Sequence, residues 1–325
     1  MKAAWYTQTG EAHEVMIVGT LPTPEPQAGE VRVKLTHSGV NPSDVKSRKS
    51  RPVTEPLIIP HSDGAGIIDA VGAGVDRQRI GQRVWVWNGQ WQRPMGTACE
   101  FICLPQAQAV ALPDHVEGAA AACFGIPVLT AIQAIRLAPE LNGKTVLVTG
   151  AASGVGHYVV QLAKLEGARV LGTVGNDSRA QHAKQGGCDE LIFYKTEPVA
   201  QRVLDLTQGQ GADVIIDLDF ASTSSLLPQG ALKHHGTLVG YGSNNPAEVP
   251  VHFRTLLWGS LNLKFFLVYD LLPADRQHGL ERLTHLLQTQ RLQHSIGATY
   301  PLTEVVQAHQ AVEQGQLVGQ VVLEI

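Results

Sequence analysis

The stretch Val146–Gly156 decides the fold: it reads VLVTGAASGVG and is followed by HYVVQLAK. A continuous apolar run of this kind is expected of a parallel strand that is covered on both faces. The run passes through a turn of small residues directly into a segment with apolar residues at helical spacing. Such a turn lets the backbone approach a pyrophosphate, which the N–H groups of the helix N-terminus then bind. The stretch predicts a dinucleotide-binding loop, and the alternative is a structural strand–helix turn. The predicted binding residues are Ala151, Ala152, Ser153, Gly154, Val155 and Gly156.

Strands and helices alternate on both sides of this loop. The predicted strands are Lys144–Thr149, Ala168–Val174, Leu191–Tyr194, Ala212–Asp217, Thr237–Tyr241 and Leu261–Tyr269. The predicted intervening helices are Gly154–Leu165, Ser178–Gln185, Val199–Thr207 and Thr223–Lys233. This repetition predicts an α/β fold with a doubly wound parallel sheet.

The first ~120 residues instead show short β-type runs separated by Pro, Gly and Asn-Gly turn signals. The runs are Val15–Val18, Val31–His37, Gly66–Val71, Arg83–Trp87 and Cys99–Leu104, and they suit a small antiparallel barrel or sandwich. Predicted helices at Leu280–Gln290 and Thr303–Gln314 and a strand at Gln320–Ile325 are expected to pack back on this part. We therefore expect a β-rich domain of residues 1–125 and 267–325, and a dinucleotide-binding domain of residues 126–266.

The composition excludes several classes of function. The chain has 325 residues, with 25 Lys and Arg against 29 Asp and Glu, and its net charge of −4 argues against nucleic-acid binding. Four Cys without a CxxC pair indicate a reducing compartment, and the N-terminus turns polar too early for a signal peptide. The uncharged segment Gly118–Ile135 imitates a membrane span, but its small residues and Pro127 favour two helical pieces inside a protein. We expect a cytoplasmic protein.

The residues at the end of the predicted strand Ala168–Val174 indicate which coenzyme is bound. An NAD site has an acidic residue there that accepts a hydrogen bond from the ribose 2′-OH, whereas Val174 and Gly175 leave room at this position. Asn176, Ser178 and Arg179 can donate to a 2′-phosphate, so we expect NADPH. Asp177 keeps the NAD alternative open, and Arg179 can also be only a solvated residue of the first helical turn.

The chain resembles the medium-chain dehydrogenase/reductase superfamily, in particular its zinc-free quinone oxidoreductase (zeta-crystallin-like) branch. The matching runs are the initial MKAAWY, Gly39–Asp44 (GVNPSD), Pro60–Gly66 (PHSDGAG), Gly72–Val75 (GAGV), Gly81–Val84 (GQRV), Gly125–Ala131 (GIPVLTA) and Gly150–Gly156. The resemblance implies a GroES-like catalytic domain beside a Rossmann domain.

The resemblance also implies that the metal site is lost. At the positions where zinc-dependent members hold ligands, this chain has Asn41, Ser62 and Ile126, which cannot supply a usual zinc ligand set. His61 and Asp63 flank the empty position, and we interpret them as a hydrogen-bonded structural pair. We expect no metal, and without one the reduction of an electron-poor acceptor is easier than the oxidation of an alcohol.

Three residues are candidates for catalysis through the resemblance. The Asn41 amide can bind the nicotinamide ribose or the substrate carbonyl, or it can merely cap the next helix. Lys46 can polarise an acceptor oxygen, or it can be one of several basic residues on a solvated loop with Arg48. Thr130 matches a position whose hydroxyl lies near the nicotinamide, and its alternative role is capping or bonding to the helix backbone.

Further coenzyme contacts are implied by the resemblance. Tyr194 matches a ring beside the adenosine phosphate, and the segment Gly240, Tyr241, Gly242 and Ser243 ends a strand where glycine admits the coenzyme. Phe265, Phe266 and Leu267 match the segment that meets the nicotinamide amide, although the two Phe residues can instead lie in a dimer interface. The apolar strand Leu261–Tyr269 would end the sheet, and its edge predicts a homodimer.

Three functions follow from these features. The first is an NADPH-dependent, zinc-independent oxidoreductase that transfers a hydride to a quinone. The second is an enoyl or alkenal reductase that acts on an α,β-unsaturated carbonyl, and the third is a non-enzymatic NADPH-binding protein. In each case we expect no nucleic-acid partner and no membrane.

Overall fold

The computed structural model describes residues 1–245 and 247–325. Its strands are β1 (Lys2–Trp5), β2 (Ile17–Thr20), β3 (Glu30–Val40), β4 (Asp63–Val71), β5 (Arg83–Val86), β6 (Phe101–Pro105), β7 (Ala109–Ala111), β8 (Thr145–Val148), β9 (Arg169–Val174), β10 (Glu190–Phe193), β11 (Ala212–Asp217), β12 (Leu232–Gly240), β13 (Asn262–Phe265), β14 (Ile296–Pro301) and β15 (Gln320–Glu324). Its α-helices are α1 (Ala12–Val15), α2 (Pro42–Ser50), α3 (Gly118–Ala121), α4 (Leu129–Leu137), α5 (Gly154–Leu165), α6 (Asp177–Gln185), α7 (Val199–Leu206), α8 (Phe220–Thr223), α9 (Phe253–Gly259), α10 (Pro273–Gln288) and α11 (Val305–Gln314).

The chain folds into two compact units. The β-rich unit comprises Met1–Ile126 and His294–Ile325, and the parallel-sheet unit comprises Pro127–Gln293.

The parallel-sheet unit contains six strands in the order β10-β9-β8-β11-β12-β13, all parallel. Its first strand, β8, lies at the centre, and Val146, Leu147 and Val148 are fully buried as the apolar run predicts. The chain runs outward first on one side of β8 and then on the other, and the point of reversal is where doubly wound sheets bind ligands. The predicted α/β fold is confirmed.

Helix α5 occupies the residues that the sequence predicts. The Ser153 side chain caps it by accepting a hydrogen bond of 3.0 Å from the N–H of Gly156. Its apolar residues Val159, Val160 and Leu162 are buried. The helix therefore begins at the predicted loop and is held against the sheet by its apolar face.

The β-rich unit is built on a seven-stranded sheet with the order β14-β15-β3-β4-β5-β7, in which β6 also pairs with β3. All pairs are antiparallel except β14–β15. Strand β15 pairs with β3, so the C-terminal residues return to the N-terminal sheet as predicted.

The second domain boundary differs from the prediction. The first lies after Ile126, one residue from the predicted position, but the second lies after Gln293 rather than residue 266. Helix α10 causes the difference because it packs against α4, with Gln133 Nε2 donating to Asp275 Oδ2 at 3.0 Å. Its buried leucines are Leu283, Leu286 and Leu287.

Two other elements depart from the predictions. The edge strand β13 has only four residues, because its neighbour β12 ends at Gly240 opposite Phe265 and leaves later residues without a partner strand. The helix predicted at Thr223–Lys233 is wrong: α8 ends at Thr223, a 3₁₀ helix that contains Pro228 follows it, and strand β12 already begins at Leu232.

The apolar segment Gly118–Ile135 forms helix α3, a π-helical turn at Phe124–Val128 that contains Pro127, and most of α4. The prediction of separate helical pieces is therefore confirmed. Across the part of the chain that the structure describes, no helix is long and apolar enough to cross a membrane.

Candidate active site

The predicted coenzyme-binding residues of the parallel-sheet unit follow the carboxyl ends of its strands. The loop Gly150–Gly156 follows β8, the segment Gly175–Arg179 follows β9, and Tyr194 follows β10. Gly240–Ser243 lie at the end of β12, and Phe265–Leu267 at the end of β13. Because parallel strands point the same way, the structure brings all of these segments to one edge of the sheet.

Two glycines shape the loop after β8. Gly150 has a positive φ of 61°, and a Cβ there would lie 1.9 Å from Leu218 Cδ2. A Cβ on Gly156 would lie 2.2 Å from the carbonyl oxygen of Gly150. Larger residues would therefore push the turn away from the helix that it enters.

The hydrogen bonds of the loop leave a set of donors at the start of α5. The N–H groups of Gly150 and Ala151 donate to the side chain and carbonyl oxygen of Thr173, at 2.8 and 3.0 Å. The N–H groups of Gly154 and Val155 have no intrahelical acceptor, because a helix leaves its first N–H groups unpaired. These donors and the helix dipole suit a pyrophosphate.

A second helix begins at the end of β9. Asn176 caps α6, with its Oδ1 accepting from the N–H of Arg179 at 3.0 Å. The Asn176 oxygen is therefore engaged in the cap, which the sequence analysis did not foresee. Asp177 and Ser178 are exposed and Arg179 is half-buried, so the first turn of α6 combines helix N–H groups with a guanidinium.

Tyr194 joins the ends of β9 and β10. Its ring is 52% exposed, and its hydroxyl oxygen would lie 2.9 Å from a Cβ built on Gly175. The aromatic face is thus open to solvent beside the predicted position of the coenzyme 2′-phosphate.

The end of β11 holds functional candidates that the sequence analysis missed. Asp217 Oδ1 accepts hydrogen bonds from the hydroxyls of Thr149 at 2.8 Å and Thr223 at 2.6 Å. Burial, followed by the charge of Asp217, raises the pKa of Tyr241, so this phenol keeps its proton at neutral pH. The available signal was positional: β11 was predicted correctly, and its carboxyl end must reach the same edge as its neighbours.

Thr130 lies near the start of α4 and is 4% exposed. Its hydroxyl has no hydrogen-bond partner among residues 1–245 and 247–325. Neither alternative role, capping nor bonding to the helix backbone, is therefore realised. A buried hydroxyl without a partner is a candidate for a ligand contact.

In the β-rich unit, Asn41 and Asp63 form a buried pair. The Asn41 Nδ2 donates to Asp63 Oδ2 at 3.0 Å, and the N–H of Ile126 donates to the same oxygen at 3.1 Å. Asn41 also precedes α2, where its N–H donates to Asp44 Oδ2 at 2.7 Å. Asn41 therefore both precedes helix α2 as its cap residue and has its side-chain amide held by Asp63.

The basic residues after Asn41 lie on helix α2 and not on a solvated loop. Lys46 is exposed, which is compatible both with a contact to an acceptor oxygen and with a merely solvated side chain. Arg48 is instead fully buried and pairs with Glu313. The predicted pairing of His61 with Asp63 is also wrong, because His61 bonds to Ser38 and His309 while Asp63 bonds to Asn41.

Comparisons with known proteins agree with this architecture. A family model described as the alcohol dehydrogenase GroES-like domain matches residues 27–114, and one described as zinc-binding dehydrogenase matches residues 154–285. A quinone oxidoreductase of Pseudomonas aeruginosa is 32% identical over 308 residues, which cover 92% of this chain and 92% of the relative. The chain belongs to the quinone oxidoreductase family. The resemblance to medium-chain dehydrogenases/reductases is thereby confirmed.

Two further relatives of this quinone oxidoreductase family member are informative. The solved structure of a mycobacterial protein complexed with NADPH is 29% identical with a TM-score of 0.89, and the alignment covers 100% of both chains. A 2-haloacrylate reductase from Burkholderia sp. is 27% identical over 309 residues, which cover 92% of this chain and 91% of the relative.

The zinc named by the family model does not fit this quinone oxidoreductase family member. The side chains at the three ligand positions are the amide of Asn41, the hydroxyl of Ser62 and the alkyl group of Ile126. Zinc takes thiolate, imidazole and carboxylate ligands, and none of these is present there. Within residues 1–245 and 247–325, no group of three or more His, Cys, Asp or Glu side chains is arranged to hold a metal.

Proposed function

We propose that this protein is an NADPH-dependent reductase that transfers a hydride to a quinone without a metal ion. The main support is the loop between β8 and α5, whose tight turn requires Gly150 and Gly156. This loop occurs in a chain that is 32% identical to a quinone oxidoreductase. The loop fits a dinucleotide because its glycines admit a backbone approach and its helix N-terminus offers free donors.

The residues at the sheet edge would hold the coenzyme by its charged groups. The N–H groups of Gly154 and Val155 would bind the pyrophosphate, and Arg179 with the first turn of α6 would bind the 2′-phosphate. Tyr194 would cover the adenosine side with its exposed ring. When bound, NADPH supplies the hydride for the reduction.

The acceptor would be held by polar side chains. Asn41 would present its amide to the acceptor oxygen or to the nicotinamide ribose, with Asp63 fixing which side of the amide carries the N–H groups. In the parallel-sheet unit, the hydroxyl of Thr130 would find its missing partner in the bound coenzyme. Lys46 is an exposed cation on the helix that Asn41 begins, and it would attract the oxygen of an electron-poor acceptor. Catalysis would rest mainly on positioning.

An α,β-unsaturated carbonyl is the second candidate acceptor, and the 2-haloacrylate reductase relative favours it. This reaction uses the same coenzyme but also requires a proton at the α-carbon. A panel that compares simple quinones with enones and 2-haloacrylates therefore separates the two activities.

The test is a steady-state assay of NADPH consumption with these acceptors, in the presence and absence of a chelator. We expect quinone reduction that is unaffected by the chelator and slower with NADH. Turnover that requires added zinc, or oxidation of alcohols alone, would overturn the proposal. Binding of NADPH without reduction of any acceptor would instead support a non-enzymatic coenzyme-binding role.

We also propose that the protein is a cytoplasmic homodimer paired through the edge of the parallel sheet. Strand β13 ends that sheet, and large apolar side chains are exposed on and around it: Phe253, Leu257, Trp258, Phe265, Leu267 and Leu272. A two-fold pairing of such edges would cover both. The four cysteines are free, which agrees with a reducing compartment.

Light scattering tests the dimer. We expect twice the chain mass of 34.9 kDa at micromolar concentration, and a shift to the monomer in Trp258→Glu. A wild-type monomer under these conditions would contradict the pairing.

A further inference from the structure

A chain of buried hydrogen bonds crosses the β-rich unit behind the Asn41–Asp63 pair. At its centre, the Nε2 atoms of His61 and His309 lie 2.9 Å apart, and both side chains are fully buried. On one side, Arg48 Nε donates to His309 Nδ1 at 3.3 Å. On the other side, Ser38 Oγ lies 2.9 Å from His61 Nδ1 and 2.7 Å from the hydroxyl of Thr97.

The direction of every bond in this chain follows from Arg48. A guanidinium can only donate, so His309 Nδ1 must accept and its Nε2 must carry the proton. His61 Nε2 then accepts from His309, which leaves the proton of His61 on Nδ1, where it is donated to Ser38. The Ser38 hydroxyl donates in turn to Thr97.

Both ends of the chain are closed to proton transfer. Thr97 donates its hydroxyl at 2.6 Å to the backbone carbonyl of Asp63, which cannot pass a proton on. At the other end, Arg48 keeps its proton and is held by the carbonyl of Gly10 and by Glu313. A relay needs at least one open end, so this arrangement is suited to fixing positions.

The backbone and the histidine rings agree with a fixed arrangement. His61 has a φ of 76°, a conformation that favours glycine. The presence of histidine at this position is therefore explained by the hydrogen bonds of its imidazole and not by the backbone conformation. Burial, and after it the charge of the facing Arg48, lower the pKa of His309 to about 3. Burial, and after it the neighbouring His309, lower the pKa of His61 well below its usual value. Both rings are therefore neutral at pH 7, as the directed chain requires.

We propose that Arg48, His309 and His61 are positioning residues that fix Asp63 and, through its Oδ2, the amide of Asn41. The link is Asp63, whose carbonyl ends the chain and whose carboxylate accepts from Asn41 Nδ2. The proposal rests on the proposed function in taking the Asn41 amide as the group that meets the reacting molecules.

The first test measures which nitrogen of each histidine in the hydrogen-bond chain carries the proton, and it does not depend on enzyme activity. Nitrogen-15 spectra of histidine-labelled protein at pH 7 should show His309 protonated on Nε2 and His61 on Nδ1. The His309→Gln variant assigns both sets of signals. The opposite tautomers, or a charged ring, would overturn the proposal.

The second test reads the effect on catalysis. Ser38→Ala interrupts the chain with a small change of volume, and we expect kcat for the quinone to fall about 10- to 100-fold through misplacement of the amide. The Kd for NADPH should change less than kcat, because the charged groups of the coenzyme have their predicted contacts in the parallel-sheet unit. Thr36→Val is the matched control, since Thr36 is on the same strand and donates at 3.2 Å to the Ala65 carbonyl outside the chain. It should leave kcat unchanged.

A double-mutant cycle separates positioning from general destabilisation. In an Asn41→Ala background, Ser38→Ala should cause no further loss of kcat, because the residue through which it acts is gone. His309→Leu should behave as Ser38→Ala does, whereas His309→Gln should retain most of the activity, since its amide can accept from Arg48 and donate to His61. Losses that multiply in the double variant, or no advantage of Gln over Leu, would overturn the proposal.

The outcomes also distinguish this proposal from the proposed function. A wild type with the expected tautomers that reduces no quinone or enone contradicts the function and leaves the hydrogen-bond chain established. A wild-type enzyme that reduces quinones, in which Asn41→Ala is fully active, overturns the positioning role alone.

Discussion

Replacement of Arg179 by alanine tests the coenzyme preference most directly. A charge-assisted contact between a guanidinium and a 2′-phosphate contributes ~1.5–3 kcal/mol. Arg179 is half-buried and follows three exposed residues, so solvent screening places the contact in the lower half of that range. We therefore expect the kcat/KM for NADPH to fall roughly 10- to 40-fold, at about 1.4 kcal/mol per decade. The kcat/KM for NADH should barely change, and the loss for NADPH should shrink as salt rises.

The assay is kcat/KM for both coenzymes in the wild type, in Arg179→Ala and in a control. Lys184→Ala is the matched control, because it removes one positive charge from the same helix at its other end, where Lys184 donates to the Asp189 carbonyl. It should leave both values within about twofold, as expected of a surface substitution. A wild type that prefers NADH and is little affected by Arg179→Ala would refute the reasoning and favour Asp177 as a ribose ligand. An equal loss for both coenzymes in Arg179→Ala would also refute it.

Three further predictions concern other residues. Asn176→Asp keeps a good helix cap but adds a negative charge at the same site, so the Kd for NADPH measured by fluorescence should rise by about tenfold while the Kd for NADH stays constant; equal shifts would contradict the placement of the 2′-phosphate. Gly156→Ala forces a Cβ within 2.2 Å of the Gly150 carbonyl, so chemical denaturation should show a loss of about 1–3 kcal/mol together with weaker binding of both coenzymes; an unchanged protein would contradict the described loop. Burial raises the pKa of Asp44 to about 7, above its unfolded value, so its contribution to stability is full below pH ~4 and is lost as the pH rises to ~7. Between pH 5 and 7 the wild type should therefore lose about 2 kcal/mol relative to Asp44→Asn in parallel denaturation series, and a constant difference would count against a raised pKa.

The parallel-sheet unit was predictable because its local signals agree with one another. The apolar run of β8, the small residues of the loop and the helical spacing of α5 all point to one structure. The carboxyl-edge site follows from topology once the strands are known to be parallel. The predicted contacts of Arg179 and Thr130 with a ligand stay predictions.

Long-range partners could not be predicted in the same way. Nothing near Arg48 in the sequence indicates that Glu313 and His309 will surround it, so a solvated loop stays open as one of two interpretations of the basic residues after Asn41. The same reason explains the wrong pairing of His61 with Asp63, since neighbours in sequence near a strand end can point to different partners. The boundary at Gln293 was missed because it depends on the contact of α10 with α4.

The β-rich unit consists of two segments that are separated in sequence by the whole parallel-sheet unit, and this determines the order in which the two units can fold during synthesis. The parallel-sheet unit is one uninterrupted segment, Pro127–Gln293, and all six of its strands are translated before residues 294–325. Until then β3 lacks its neighbour β15, and Arg48 lacks Glu313, its partner 265 residues further along the chain. Contacts of such separation form late, because the loop between them must close first. The nascent chain would therefore contain every strand of the parallel-sheet unit at a stage when the β-rich unit still lacks β15 and Glu313.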